Sequence, residues 1–162
     1  MKEEDFVAEL GYLALAVRMK RISESVLHSG RQLYKELGID IEPNWYLLFL
    51  LLQKYEALSI TEIAGYLGFA HPSVINIVNK MKNRSYLESH TDSQDSRRQI
   101  ITLSPKALLE LPRLNEVWEA AERGIRKAFP PGDNFLEQLA LIEQQNQKLD
   151  FMKRTIKELK ND

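Results

Sequence analysis

Cysteine is absent from the 162 residues. That excludes disulfide staples, thiol nucleophiles, thiol-based peroxide sensing and thiolate zinc sites, and it fits a reducing compartment. Glycine and proline are scarce, at seven and six, so long helical elements are expected rather than a loop-rich chain. No apolar run is long either. The longest, Trp45 to Leu52, has eight residues, against the roughly 20 that a membrane-spanning helix needs, and it reads as a buried helix. The opening stretch is acidic and has no apolar segment behind a basic start, so no secretory signal is visible and the expected location is cytoplasmic. The length lies close to the roughly 150 residues of one domain, enough to bury a core unaided.

Excess charge of either sign is also missing, with a net charge of -1. Nucleic-acid-binding domains are often strongly basic, so the total argues weakly against one. Its distribution says more. From His71 to Lys106 six Lys or Arg face three acids, leaving a local surplus of positive charge in an otherwise acidic chain.

The elements follow from periodicity. A first helix is expected from about Asp5 to Leu37, with a bend at Ser29-Gly30 and a stop at Gly38. A second starts near Pro43 and ends around Tyr55. The stretch Leu58-Ser59-Ile60-Thr61-Glu62-Ile63 has the form of a capping box with its hydrophobic staple, so a short helix begins there and closes at Gly68. After a turn through Phe69-Ala70-His71, with His71 as N-cap, Pro72 opens another helix that runs to about Arg84. One face of it holds Val74, Ile77, Val78 and Met81. The other holds Ser73, Asn76, Lys80 and Asn83, with Asn79 alongside, and has no acid. Asparagine is a poor helix former, so something other than helix stability selected this face.

The period then changes to two. Tyr86–His90 and Gln99–Leu103 read as strands joined by the polar loop Thr91 to Arg98. Ser104 and Pro105 restart a helix, with a kink expected near Leu108 because of Pro112. Pro130-Pro131-Gly132 ends it, and Asp133 caps one last helix striped by Phe135, Leu139, Ile142, Asn146, Leu149, Met152, Ile156 and Leu159. Stripes of this length need a partner surface.

Two short helices joined by a turn, the second with a hydrogen-bonding face, followed by a hairpin with a basic loop, make a winged helix-turn-helix. A helix of this kind fits the major groove, where donors and acceptors distinguish all base pairs. Asparagine pairs bidentately with adenine, lysine suits guanine or phosphate, and the wing residues Gln94, Arg97 and Arg98 stand where backbone or minor groove would be met.

These residues resemble the MarR (multiple antibiotic resistance regulator) family of transcription factors. The resemblance is carried by Ser59-Ile60-Thr61-Glu62-Ile63-Ala64 with Leu67-Gly68, by Pro72-Ser73-Val74 through Val78 to Met81, by Tyr86-Leu87-Glu88, by Asp92, Asp95 and Arg97, and by Ile100 to Ser104. Two positions depart from the family pattern: Gln94 stands for a wing arginine and Ser85 for the usual glycine before the wing. The resemblance implies a mainly α chain with a small β-hairpin wing, a single MarR-like unit over residues 1–162. Its DNA-binding lobe would span 41–104 and its dimerisation helices 1–37 and 105–160. It further implies a homodimeric repressor of a pseudo-palindromic double-stranded DNA operator, released by a small aromatic or anionic effector. Carried over by position, Ser73, Asn76, Asn79 and Lys80 would meet bases or phosphates, with Ser59, Thr61 and His71 near the backbone and Arg97 serving the wing. Arg98 would partly compensate for Gln94. His28, Trp45, Phe49 and Trp118 would suit an effector pocket.

The same residues bear on other readings. His28, His71 and His90 stand at unrelated places with no i, i+4 pair, so no metal is expected. No Gly-rich phosphate loop and no G-x-S-x-G elbow occurs, and pairs such as Glu3/Glu4 or Glu116/Glu119 lie on solvated faces, so the chain reads as a non-enzyme without cofactor. A winged helix that binds protein instead of DNA is the alternative. The polar recognition face opposes it, since such surfaces favour aromatic and aliphatic anchors.

Overall fold

The computed structural model describes residues 5–92, 95 and 98–160. The chain divides into two compact units, Met1–Glu116 and Val117–Asp162. Among the described residues no helix is long and apolar enough to cross a membrane.

The first unit opens with three pieces where one helix was expected: α1 (Phe6–Glu9), a 3-10 turn (Gly11–Ala14) and α2 (Leu15–Glu36). Gly11 sits at φ +56°, a left-handed value that interrupts the ladder and that glycine adopts without a Cβ clash. Asp5 accepts two hydrogen bonds from the Arg21 guanidinium, at 3.3 and 2.7 Å, which tie the start of this segment to α2. The expected bend at Gly30 is not a break, for α2 runs through it. Its end is a Schellman motif: Gly38 at φ +63° donates to the Lys35 carbonyl and Ile39 to that of Tyr34.

A 3-10 turn (Pro43–Trp45) leads into α3 (Tyr46–Tyr55), whose Leu48, Phe49 and Leu52 are buried. The capping box forms as read: the Ser59 hydroxyl accepts from the Glu62 amide and the Glu62 carboxylate accepts from the Ser59 amide, opening α4 (Ile60–Leu67). Gly68 ends it at φ +64°. The next helix, α5 (His71–Asn83), is capped by Ala70 rather than His71, with extended backbone at Ala70 and Pro72 in the first turn. Val74, Ile77, Val78 and Met81 are its buried face.

The sheet has one strand more than the hairpin. β1 (Ala57–Ser59) pairs antiparallel with β3 (Gln99–Leu103), which pairs with β2 (Leu87–Thr91), giving the order β1-β3-β2. Ser59 lies opposite Ile100, and Glu88 opposite Thr102. The segment at Ala57 is too short to show a period, and the staple around Leu58 read only as the preface to a helix. After the sheet, Ser104 caps α6 (Pro105–Arg126) by accepting from the Ala107 amide at 3.1 Å. Pro112 removes one donor, yet the helix continues through it. The deprived turn is at Leu108, which is exposed, so water can serve its carbonyl.

In the second unit the expected single closing helix is two, α7 (Phe135–Lys148) and α8 (Phe151–Leu159). Leu149 is extended and Asp150 caps anew, accepting from the Lys153 amide at 2.9 Å. Arg154 donates to the carbonyls of Gln145 and Leu149, both at 3.1 Å, satisfying the end that α7 leaves open. No residue of α7 or α8 is buried, and Phe135, Leu136, Phe151, Met152, Ile156 and Leu159 are exposed.

Candidate nucleic-acid interface

The face of α5 opposite its buried side carries Ser73, Asn76, Asn79 and Lys80, all exposed. Among the described residues none of these four side chains makes a hydrogen bond or ion pair. Uncommitted amides and one ammonium on a helix whose other face is locked in the core can be turned to an external partner without costing the fold anything. At the start of α4, Thr61 is exposed, and its hydroxyl lies 3.5 Å from Nε2 of His71, the first residue of α5. The first turn of α4 and the first residue of α5 thus meet at this side-chain contact.

Of the cations in this basic stretch, several are already engaged. Arg84 reaches Asp40 at 2.8 Å and Glu42 at 3.7 Å and lies over the Trp45 ring. Lys106 donates to the Arg84 carbonyl at 2.9 Å and sits 4.0 Å from the centroid of the Tyr86 ring. Lys80 and Lys82 are left without an ion pair among the described residues, so α5 carries the free cations among the described residues of this stretch.

Ser59, expected near the DNA backbone, is the N-cap of α4. It is 5% exposed, and its hydroxyl donates to Glu62 Oε2 at 2.7 Å while accepting from the Glu62 amide. Arg98 is also engaged: its guanidinium lies 2.6 Å from Glu62 Oε1, 3.8 Å from Asp92 and 3.5 Å from the Ser59 hydroxyl. The Arg98 hydrogen bond, with those from the Ser59 amide and hydroxyl, holds the Glu62 carboxyl down at about 2. Glu62 was legible as a cap, but its long-range partner was not. Gln94 and Arg97 lie outside the described residues.

The residues considered for an effector pocket fall in different settings. His28 is exposed on α2. Trp45 and Phe49 are buried and pack edge-on against Tyr86, with centroids 6.0 and 5.5 Å away. Both belong to the core of the first unit. Tyr86 donates to Glu110 at 3.0 Å, and burial first, then that carboxylate, pushes its hydroxyl above the usual range. Trp118 is half-buried and belongs to the second unit. Among the described residues no three His, Asp or Glu side chains gather as metal ligands.

A helix-turn-helix followed by an antiparallel hairpin defines a winged helix-turn-helix fold. No family model and no curated protein matches the sequence. Solved structures do match. The S. aureus MepR–DNA complex is 18% identical with a TM-score of 0.67, over 82% of this chain and 96% of that one. A MarR/EmrR family transcriptional regulator from Acinetobacter sp. is 16% identical with a TM-score of 0.67, over 82% and 93%. The organohalide-sensing regulator RdhR in its 2,4-dichlorophenol-bound form is 16% identical with a TM-score of 0.70, over 82% and 78%. The chain therefore has the fold of the MarR-family winged-helix regulators.

Proposed function

We propose that this protein is a sequence-specific DNA-binding transcriptional regulator of the MarR type and not an enzyme, working in the cytoplasm as a homodimeric repressor. The observation that carries the reading is the outer face of α5, where Ser73, Asn76, Asn79 and Lys80 are exposed and, among the described residues, uncommitted. On this reading Asn76 and Asn79 meet base edges, Lys80 and Ser73 meet bases or adjacent phosphates, and Thr61 and His71 lie beside the backbone. MepR, of like fold, is seen on DNA.

Dimerisation is supported by apolar side chains that the single chain leaves in water. In the first unit Leu13 and Ile22 are exposed, and in the second Phe151, Met152, Ile156 and Leu159 are. Large apolar side chains left exposed at helical spacing, as Met152, Ile156 and Leu159 are, suit an interface. A dimer with two recognition helices calls for half-sites about one helical turn, roughly 10 base pairs, apart. Release by a small aromatic or anionic compound rests on the likeness to RdhR, which is seen with 2,4-dichlorophenol bound.

Selection from random duplexes tests the reading. Enrichment of a pseudo-palindrome is the expected result, and a library that emerges unenriched would favour a protein-binding winged helix. Sedimentation is expected to show a dimer that Ile125→Asp or Leu149→Asp disrupts, and a wild-type monomer at micromolar concentration would exclude the dimeric model.

A further inference from the structure

Arg98 closes a ring of interactions at the base of the wing. Within the loop, its amide donates to the Asp95 carbonyl and its own carbonyl accepts from the Asp92 amide, both at 2.9 Å. Its guanidinium then leaves the loop for Glu62 Oε1 at 2.6 Å. The other carboxylate oxygen, Oε2, takes the Ser59 amide at 2.8 Å and the Ser59 hydroxyl at 2.7 Å. Ser59 in turn pairs with Ile100, two residues after Arg98. Ser59, Glu62, Arg98 and Ile100 therefore form a closed circuit of backbone and side-chain links, joining the start of α4 to the first strand after the loop.

We propose that Arg98 is a positioning residue: it clasps the base of the wing to the cap of α4, and it does this instead of contacting DNA. Moving the guanidinium to a phosphate would exchange one charge-assisted hydrogen bond for another. It would also leave the Glu62 carboxylate unpaired beside a polyanion, a like-charge juxtaposition that the clasp avoids. Asp92 at 3.8 Å adds a second acid on the same side and holds the guanidinium further in place. The base of the wing is thereby held to the start of α4. The second half of the proposal, that Arg98 does not touch DNA, rests on the DNA-binding reading, whereas the clasp itself does not.

Two measurements on the full chain test it. The first needs no DNA: the Glu62 carboxyl is titrated by carbon-detected NMR in wild type and in Arg98→Gln. The expected result is titration near 2 in wild type, returning toward the ordinary 4.5 in the variant. A wild-type value in the ordinary range, or one indifferent to Arg98→Gln, overturns the clasp whatever the protein binds.

The second compares operator affinity across salt for Arg98→Gln, Glu62→Gln and both together, using the duplex enriched by selection. Glutamine at 62 still accepts from the Ser59 amide, so it keeps the cap and removes only the charge. A positioning role predicts that each single variant weakens binding by roughly two- to fivefold, as loss of an exposed ion pair does. The double variant should be no weaker than either single one, with the slope of log K against log salt unchanged. A phosphate contact predicts the reverse: Arg98→Gln lowers the slope by about 0.9 per subunit, and Glu62→Gln frees the arginine and tightens binding. Either of those outcomes rejects the proposal. Failure to enrich any duplex would instead overturn the DNA-binding reading and with it the proposal's second half.

Discussion

Gly30 lies against Pro43: a Cβ built on Gly30 would come within 3.3 Å of the Pro43 Cβ and 3.5 Å of its Cγ. Pro43 is buried and its ring is rigid, so it cannot swing aside as a long side chain would. A helical glycine normally costs about 0.5–1 kcal/mol relative to alanine, and here that cost lets α2 approach the turn before α3. Gly65, inside α4, has nothing within 4 Å of the same built atom. Gly65→Ala is expected to stabilise by about 0.5–1 kcal/mol, while Gly30→Ala gains nothing or loses. Urea midpoints of the two variants check this. Equal gains at both positions would show that the contact with Pro43 is soft.

Ser85 makes a similar argument from the opposite side. It occupies the C′ position of a Schellman motif at the end of α5, donating to the Lys82 carbonyl at 2.8 Å while Tyr86 donates to that of Met81 at 2.9 Å. Its φ is +60°, where a Cβ is strained by about 1–2 kcal/mol. The strain is tolerated because Tyr86 beyond it is anchored in the core and the Ser104 hydroxyl bonds the Ser85 carbonyl at 2.6 Å. Ser85→Gly should raise stability by about 0.5–1 kcal/mol, after the extra freedom of glycine in the unfolded chain is subtracted. Thermal unfolding decides it, and a lower midpoint for the glycine variant would refute the account.

The acid limb of stability should carry the mark of Glu62. Its folded value of about 2 lies below the ordinary 4.5, so the group contributes stability that is present above pH 4.5 and is lost as pH falls toward 2. The side chain is 43% exposed and solvent screens the pair, so the contribution stays under about 1 kcal/mol. Between pH 4.5 and 2.5 wild type should therefore lose stability somewhat faster than Glu62→Gln, and the two should run parallel above pH 5. Parallel curves throughout would mean that the carboxyl is not held down.

What the sequence revealed divides by range. The cap at Ser59 and Glu62, the stop at Gly68 and the buried face of α5 were legible because each depends on residues within one or two turns of one another. The break at Leu149 was not, since the apolar stripe passes through it unchanged and only Asp150, an ordinary surface residue by composition, gives it away. The early break at Gly11 had a visible signal, a glycine inside a helical pattern, that the strong periodicity outweighed. Of the candidate interface, the α5 face was readable from its missing acids and excess asparagine. The commitment of Arg98 to Glu62 was not, for it joins residues 36 apart that only the sheet brings together. Trp45 and Phe49 show the same limit, because composition cannot tell a core aromatic from one lining a pocket.

The recognition helix offers the sharpest test of function, because two of its residues should fail in different ways. Asn76 is exposed on the outer face of α5, and its side-chain amide presents a donor and an acceptor together, which matches the adenine edge. If it reads a base, Asn76→Ala should cost about 1–3 kcal/mol on the selected duplex and relax preference at one position in each half-site. Non-specific affinity should hardly change. Lys80 lies one turn further along the same face and carries a point charge. If it meets phosphate, Lys80→Ala should weaken all sequences alike and lower the slope of log K against log salt by about 0.9 for each phosphate no longer neutralised. Both side chains are exposed and, among the described residues, uncommitted, so neither substitution should move the unfolding free energy by more than about 0.5 kcal/mol. The measurement is a salt series on the selected duplex and on a scrambled one, with each variant's stability recorded alongside. Loss of affinity accompanied by unfolding would mean the face supports the fold. Full affinity in both variants would show that α5 does not enter the groove, and the regulator reading would fall with it.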